Sequence, residues 1–531
     1  MMAATERQLA GLASALLVDF EGVTPAERAL LEEAEVPTPD RVAAVRKAIL
    51  AGDDPLGSIF CALRDPKERR EQGAIYTPAA IIRSMIAWAM NQRPEPVRVV
   101  DPGAGSGRFS IAAAQAFPKA RIVAVETDPL AALLLRANAA VLGFTARLTL
   151  ELSDYRHLEL AEVDGPTLFI GNPPYVRHHH ISEAWKDWFG RTAAEMGFKA
   201  SKLAGLHIHF FLKTRQLARP GDYGTFITAA EWLDVNYGKV LRDMLGDGLG
   251  GASLHVIDPA AQPFPDAMAT GAIACFTAGN KPPALRMRSV SSLDVLFDLS
   301  EGSEVAWRDL AQSRRWSVYL RKERPTVHGI ELGELFRVQR GQVTGANAIW
   351  IAGAVAEETV PARFLRPTVT KGRELLRAGE RLDDPSALRR VVDLPNDLSV
   401  LDATERRSVN RFLKWAKALG ADKGFIATHR KAWWSVGLKP PAPILVTYMA
   451  RQAPAFVLNA CGAFHINVAH GLYPREPMDD ETLLLVLRFL RGSVSSHSGR
   501  TYAGGLTKFE PGEVERLTLP RLDELREMAG A

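Results

Sequence analysis

The run of short apolar segments between residues 96 and 280 constrains this chain more than any other feature. PVRVVD at 96–101, ARIVAVE ending at Glu126, ARLTLEL, TLFI at 167–170 and YGTFITA alternate with helix-forming stretches such as DPLAALLLRANAAVLG and HIHFFLKTRQLA. Strands apolar on both faces must be covered on both faces. Strands separated by helices pair in parallel. The expectation is an α/β fold with a mostly parallel, doubly wound sheet, completed by strands at LHVID and GAIACFTA. Ligands in such sheets gather beyond the carboxyl ends of the strands. The polar motifs of this sequence fall at those ends.

Flanking regions read differently. Residues 1–70 carry apolar residues at helical spacing in RQLAGLASALLVDF and RVAAVRKAIL, which predicts an N-terminal helical region. The βα rhythm occupies 71–282 and is then lost. Residues 283–325, beginning PALRMRS, read as a connection into a second unit over 326–531 with short strands, helices and glycine turns. A chain of 531 residues is too long for one core, so several domains are expected.

The first strand ends at Asp101 and runs through Pro102 into Gly103-Ala-Gly105-Ser-Gly107. This is neither a GxGxxG dinucleotide turn nor a P-loop, which would close on Gly-Lys-Ser/Thr. The second strand ends at Glu126, placed to bond ribose hydroxyls, and a third acid, Asp154, follows the third strand. Acids at three neighbouring strand ends suit a cationic adenosyl ligand and would repel a pyrophosphate. Each could also serve only to cap the helix that follows.

After the fourth strand comes Asn172-Pro173-Pro174-Tyr175. Two prolines stiffen the backbone and remove two N–H donors, leaving carbonyl oxygens to face outward. An aromatic amine is a poor nucleophile because its lone pair is shared with the ring. Acceptors for both amine protons, the Asn172 side-chain oxygen and the Pro173 carbonyl, would localise that pair for in-line attack on a methyl group. Tyr175 offers a face on which a planar base can stack.

These motifs resemble those of the γ-class of amino-methyltransferases, the TaqI-like adenine-N6 DNA methyltransferases of type II modification systems, over about residues 72–280 and more loosely beyond. The resemblance implies a Rossmann-like S-adenosyl-L-methionine (SAM)-dependent methyltransferase fold with an N-terminal helical extension and a C-terminal DNA target-recognition domain. Gly73-Ala-Ile-Tyr76-Thr77-Pro78 resembles the segment that closes over the methionine end of SAM in that class. Asp101 to Phe109 resembles its first SAM motif, Glu126 its ribose-binding acid and Asp154 the acid that meets the cofactor's adenine. Gln262-Pro263-Phe264-Pro265 resembles the motif whose aromatic stacks on the other face of a flipped base. GQVTGAN (341–347), FHINVAHGLYP (464–474) and GRTYAGGLTKFEPGEVERLTLP (499–520) resemble recognition domains of modification enzymes. The implied partner is double-stranded DNA, with a separately acting cognate restriction endonuclease left open.

Other readings remain. The Asn-Pro-Pro-Tyr turn also serves methyltransferases of protein glutamine and of the guanine N2 amine in RNA, which usually place substrate-binding modules before the sheet. A cytosine-N4 enzyme shares the chemistry but more often has Ser in place of Asn172. A catalytically silent DNA-binding module is disfavoured because every catalytic position is intact. Cytosine-C5 transfer needs a thiolate, normally in Pro-Cys, and Cys61, Cys275 and Cys461 all lack the preceding proline. Their separation also argues against a zinc site or a disulfide framework and suits the cytoplasm of a bacterium or archaeon, with no membrane association. His178-His179-His180 cannot all face one ion in regular structure. They and Arg177 suit a loop beside DNA. The net charge of +4 decides nothing by itself. Residues 411–460, however, hold eight Lys or Arg against the single acid Asp422, interleaved with Trp415, Phe425, Trp433, Trp434, Tyr448 and Phe456. That mixture fits a nucleic-acid face, or equally a basic surface over core aromatics.

Overall fold

The computed structural model describes residues 5–17, 21–64, 77–258, 261, 270–313, 315–320, 329–450, 453–494, 500–502 and 506–530. The chain divides into two compact units, one formed by residues up to Lys322 and the other by residues from Glu323.

The first unit is built on a nine-stranded sheet. Its strands are β1 (Arg98–Pro102), β2 (Arg121–Glu126), β3 (Leu148–Leu152), β4 (Thr167–Gly171), β5 (Tyr223–Ala229), β6 (Gly251–Ile257), β7 (Gly271–Thr277), β8 (Ala284–Val290) and β9 (Ser303–Ala306). Their spatial order is β3-β2-β1-β4-β5-β7-β6-β8-β9. The five strands β1–β5 are mutually parallel, and β7 enters antiparallel between β5 and β6. Strand order reverses between β1 and β4, which opens a crevice at their carboxyl ends. β1 and β4 are buried along their whole length, as strands covered on both faces must be.

Part of the stretch read as a connection, 284–306, instead extends this sheet. β8 pairs parallel with β6, and β9 pairs antiparallel with β8. Within β8, Leu285, Met287 and Val290 are buried while Arg286 and Ser289 face out. A strand near a sheet edge needs only one apolar face, so its period-two pattern lacks the continuous apolar run that marks the central strands.

Helices Glu6–Leu16, Pro25–Glu32, Pro39–Leu50 and Pro55–Leu63 form a layer over the helix Pro129–Leu142. That helix begins where Asp128 accepts from the N–H groups of Leu130 (2.9 Å) and Ala131 (3.2 Å), and it ends at Gly143 in the left-handed region. Leu130, Leu133, Leu134 and Ala137 pack against Leu9, Leu12, Leu16, Val45, Ile49 and Leu56. At the rim of this apolar contact, Arg136 reaches the fully buried Glu27 at 2.7 Å. Glu27 also closes a capping box with Thr24, so its charge is fully engaged.

The second unit is separately organised. Phe336–Arg340, Ala469–Pro474, Ile444–Thr447 and Phe456–Leu458 form an antiparallel four-stranded sheet. Helix Asp480–Ser493 lays Leu483, Val486, Leu487 and Leu490 into the same cluster as this sheet. A three-stranded sheet of Arg389–Val392, Leu365–Val369 and Phe464–His465 lies beside a cluster that takes in helix Ala403–Ala418. Among the described residues no helix is long and apolar enough to cross a membrane.

Packing is tight at Gly107 in the glycine turn. Its φ is +95°, and a Cβ there would lie 2.1 Å from Leu135 Cδ1. Gly107→Ala should lower the unfolding free energy by about 3 kcal/mol, combining backbone strain with overpacking. A urea transition of the first unit that keeps its wild-type midpoint in this variant would refute the packing argument.

Candidate active site

Four strand ends and one glycine turn build the site. Gly103, Gly105 and Gly107 all have positive φ (73°, 56° and 95°), which side chains oppose. The turn folds back onto β2: the N–H groups of Gly103 and Ala104 both donate to the Val125 carbonyl, at 2.8 and 3.0 Å. Glu126 holds it there. Its Oε2 accepts from Gly105 N at 2.7 Å, while Oε1 accepts from Thr127 N (2.8 Å) and Asp128 N (3.0 Å). Burial raises the Glu126 pKa, and these N–H donors work against that rise.

Asp101 lies behind the turn. It is fully buried, and its Oδ2 accepts from both the N–H (2.9 Å) and the hydroxyl (2.7 Å) of Ser110. Burial pushes its pKa up to about 7 despite those two bonds. Asp101 therefore ties β1 to the helix Arg108–Ala116 and does not line the cleft described next.

A cleft of about 260 Å³ opens between the strand ends. Its wall brings together Thr77, Gly103, Gly105, Glu126, Asp154, Asn172 and Pro174 from the sequence-expected residues. Gly107, Pro173 and Tyr175 lie outside it. Tyr76 and the Gln262–Pro265 motif with Phe264 lie outside the described residues.

Asp154 is already engaged. It accepts from Arg156 N, caps the short turn that follows, and pairs with the Arg156 guanidinium at 2.6 Å. Burial pushes its pKa up, but the bonds from Arg156 outweigh that and leave it low. Arg156 in turn stacks on Trp185 at 3.8 Å.

At the end of β4, Asn172 Nδ2 donates to Thr77 Oγ1 at 3.0 Å, which ties the amide to the segment before the first strand. Pro174 lies against the glycine turn: a Cβ on Gly103 would sit 3.5 Å from Pro174 Cδ. The Tyr175 hydroxyl donates to the Ile227 carbonyl at 3.4 Å, and its ring meets His207 edge-on, with centroids 6.2 Å apart. His207 is buried, and burial pushes its pKa down to about 4, so the ring is neutral at pH 7. His178–His180 form a short 3-10 turn. Among the described residues no group of three or more His, Cys, Asp or Glu is placed to hold a metal.

The cleft also has walls that the motifs did not announce. Gly57, Phe60 and Cys61 come from the N-terminal helix Pro55–Leu63, and Leu206 and Phe210 from helix Leu206–Leu217. Leu206 and Phe210 are four apart and share a helix face, a signal present in the sequence but indistinguishable from core periodicity. The clearest hint for the N-terminal wall was Gly57, a glycine inside an apolar helix. A Cβ there would come within 2.3 Å of both Asp54 Oδ2 and Ser106 Oγ.

Comparison with known proteins bears on both units. The family described as Eco57I restriction-modification methylase matches residues 153–256, and the C-terminal domain of type II methyltransferase M.Eco57I matches 310–530. Type II methyltransferase M.XamI of Xanthomonas campestris pv. amaranthicola is 52% identical over 526 residues, covering 98% of this chain and 99% of that protein. Type II methyltransferase M.AccI of Acinetobacter calcoaceticus is 22% identical, covering 85% of each. A nuclease-deletion mutant of the type ISP restriction-modification enzyme LlaGI, solved with a DNA substrate mimic, shares the fold with TM-score 0.51 and 13% identity, over 99% of this chain and 62% of that one.

Glu126 is the peg of the glycine turn as well as part of the cleft wall. Glu126→Ala should raise the SAM dissociation constant at least about tenfold, the cost of a lost hydrogen bond to a charged group. Titration calorimetry on the full chain gives the measurement, and an unchanged constant would remove this carboxylate from the cofactor's site.

Proposed function

This chain belongs to the type II DNA methyltransferases of restriction-modification systems, which draw their methyl group from SAM, and on that premise we propose that it methylates the N6 amine of adenine in double-stranded DNA. The observation that carries the reading is the Asn172 amide, held by Thr77 at the edge of the same cleft as Glu126 and Asp154. With Nδ2 given to Thr77, Oδ1 serves as acceptor for one proton of the target amine, and the Pro173 carbonyl takes the other. Both acceptors sit on a proline-stiffened turn, so little reorganisation is needed when charge develops on the nitrogen.

The residues fit the cofactor. A Cβ at Gly105 would meet nothing within 4 Å, so the turn leaves room beside Glu126. Glu126 would take the ribose hydroxyls, Asp154 with Arg156 the adenine edge, and the glycine turn with the Thr77 backbone the methionine end. Bound there, SAM supplies an electrophilic methyl on a sulfonium. The cleft's carboxylates favour that cation. The adenine must leave the base stack to reach this edge, and Tyr175 and Phe264 are the aromatic faces proposed to hold it. The unit from Glu323 is proposed to select the DNA word, with a cognate endonuclease cutting that word when it is unmethylated.

Cytosine-C5 chemistry finds no support in Cys275. Cys275 is fully buried in β7, donates to Thr225 Oγ1 at 3.4 Å, and burial pushes its thiol pKa up to about 12. A thiol in that state is not a nucleophile at neutral pH.

Plasmid DNA treated with the purified chain and SAM, then digested to nucleosides, should yield N6-methyladenine. N4- or C5-methylcytosine in its place would overturn the reading. Asn172→Ala should abolish methyl transfer while SAM and DNA still bind, because the lost bond acts mainly in the transition state. Cys275→Ser should retain methyl transfer in the same assay, and its inactivation would return the thiol to consideration.

A further inference from the structure

A continuous set of hydrogen bonds runs from the N-terminal helical layer to the Asn172 amide. Asp54 precedes the helix Pro55–Leu63 and accepts from Gly57 N at 2.8 Å, capping it. Its other oxygen accepts from Ser106 Oγ (3.0 Å) and from Arg108 Nε (2.8 Å). Arg108 Nη1 donates to the Thr77 carbonyl at 2.8 Å. Thr77 Oγ1 accepts from Asn172 Nδ2 at 3.0 Å. Four side chains from four separate parts of the chain thus meet in sequence.

Two physical points give this arrangement a purpose. The terminal torsion of an asparagine is soft, and its amide fits two orientations of similar shape. Only one of them turns an acceptor toward an incoming amine; the other turns an N–H₂ group toward it and repels it. In this structure Nδ2 is bonded to Thr77 Oγ1, which anchors the amide with Oδ1 on its opposite side. The second point is the placement of Arg108. It opens a helix, at the positive end of the dipole, where a cation is disfavoured. Asp54, with a side chain 10% exposed, offsets that charge. A planar guanidinium presents donors at fixed angles, so one side chain can span Asp54 and the Thr77 carbonyl together.

We infer that Thr77, Arg108 and Asp54 are positioning residues that orient the Asn172 amide, so that the N-terminal layer takes part in methyl transfer without touching the target base. Thr77 supplies the bond that anchors the amide side chain. Arg108 holds the Thr77 backbone so that its hydroxyl stays in reach. Asp54 holds Arg108 and seats the helix against the glycine turn. The inference rests on the acceptor role given to Asn172 above.

Single-turnover methyl transfer with the full chain, at saturating SAM and DNA, tests it. Thr77→Val keeps the shape and the carbonyl but removes the hydroxyl, and should slow transfer about tenfold with SAM and DNA dissociation constants within about threefold of wild type. Thr77→Ser keeps the hydroxyl and should restore the rate. Arg108→Met should also slow transfer, and the double variant should be no slower than the slower single one, because both act on one amide. A wild-type rate in Thr77→Val beside an inactive Asn172→Ala would overturn the inference and leave the catalytic reading standing. An active Asn172→Ala would remove the catalytic reading itself. If the loss in Arg108→Met appears as weaker SAM binding with an unchanged saturated rate, Arg108 is a cofactor ligand and the inference fails for that residue. Should Arg108→Met not fold, the Thr77→Val and Thr77→Ser pair decides alone.

Discussion

The carboxyl ends of β1 and β4 approach so closely that only small residues fit between them, and the rest of the first unit is arranged around that approach. A Cβ on Gly171 would come within 3.1 Å of Asp101 Oδ1 and 3.2 Å of Pro102 Cδ. Two residues further on, Gly103 faces Pro174. Because strand order reverses here, the helices after β1 and β4 leave on opposite faces and open a crevice between the two turns. The glycine turn and the Asn-Pro-Pro-Tyr turn are thus neighbours by topology, though about 65 residues apart in sequence.

Three carboxylates lie near this crevice, and the protein handles each differently. Asp101 is sealed away and held by Ser110, with its pKa raised to about 7. Glu126 is held by three backbone N–H groups. Asp154 is paired with Arg156. Partners chosen in this way keep ionisable groups at a protein–solvent boundary without large unpaired charge. For Glu126 and Asp154, which line the cleft, capping does not exclude the ligand role proposed above, because an ionised carboxylate has more acceptor sites than these bonds use.

In the second unit the aromatics of the basic stretch are for the most part packed. Trp415, Trp433 and Trp434 lie against one apolar cluster, and Phe456 is fully buried in another. Tyr448 is buried beneath Arg340, whose guanidinium lies 4.2 Å from its ring. Phe425 is the exception, at 75% exposure. The turn GQVTGAN and the segment FHINVAH meet: Gly341 N donates to Ala469 O at 3.0 Å and Asn467 N to Gln342 O at 3.1 Å. The basic side chains surround a core, and the aromatics among them chiefly build it.

From sequence alone the parallel sheet and the order of its central strands' motifs were legible, because strands buried on both faces leave long apolar runs and because glycine and proline turns impose their own geometry. Glu126 and Asn172 could be placed at strand ends for the same reason, and Thr77 was reached through the family resemblance alone. Strand β8 was not legible, since a near-edge strand buries one face only and its alternation is short. Nor was the lining of the cleft by Gly57, Phe60 and Cys61, or the partnership of Asp54, Arg108 and Thr77. Those depend on contacts between residues far apart in the chain, such as Arg108 with Thr77 and with Asp54, 31 and 54 positions away, set by how a helical layer packs on a sheet. Local pattern reports which face of an element is buried. Which side chain meets which across that face is decided only when the layers close, because packing distances of a few tenths of an ångström then select the partners.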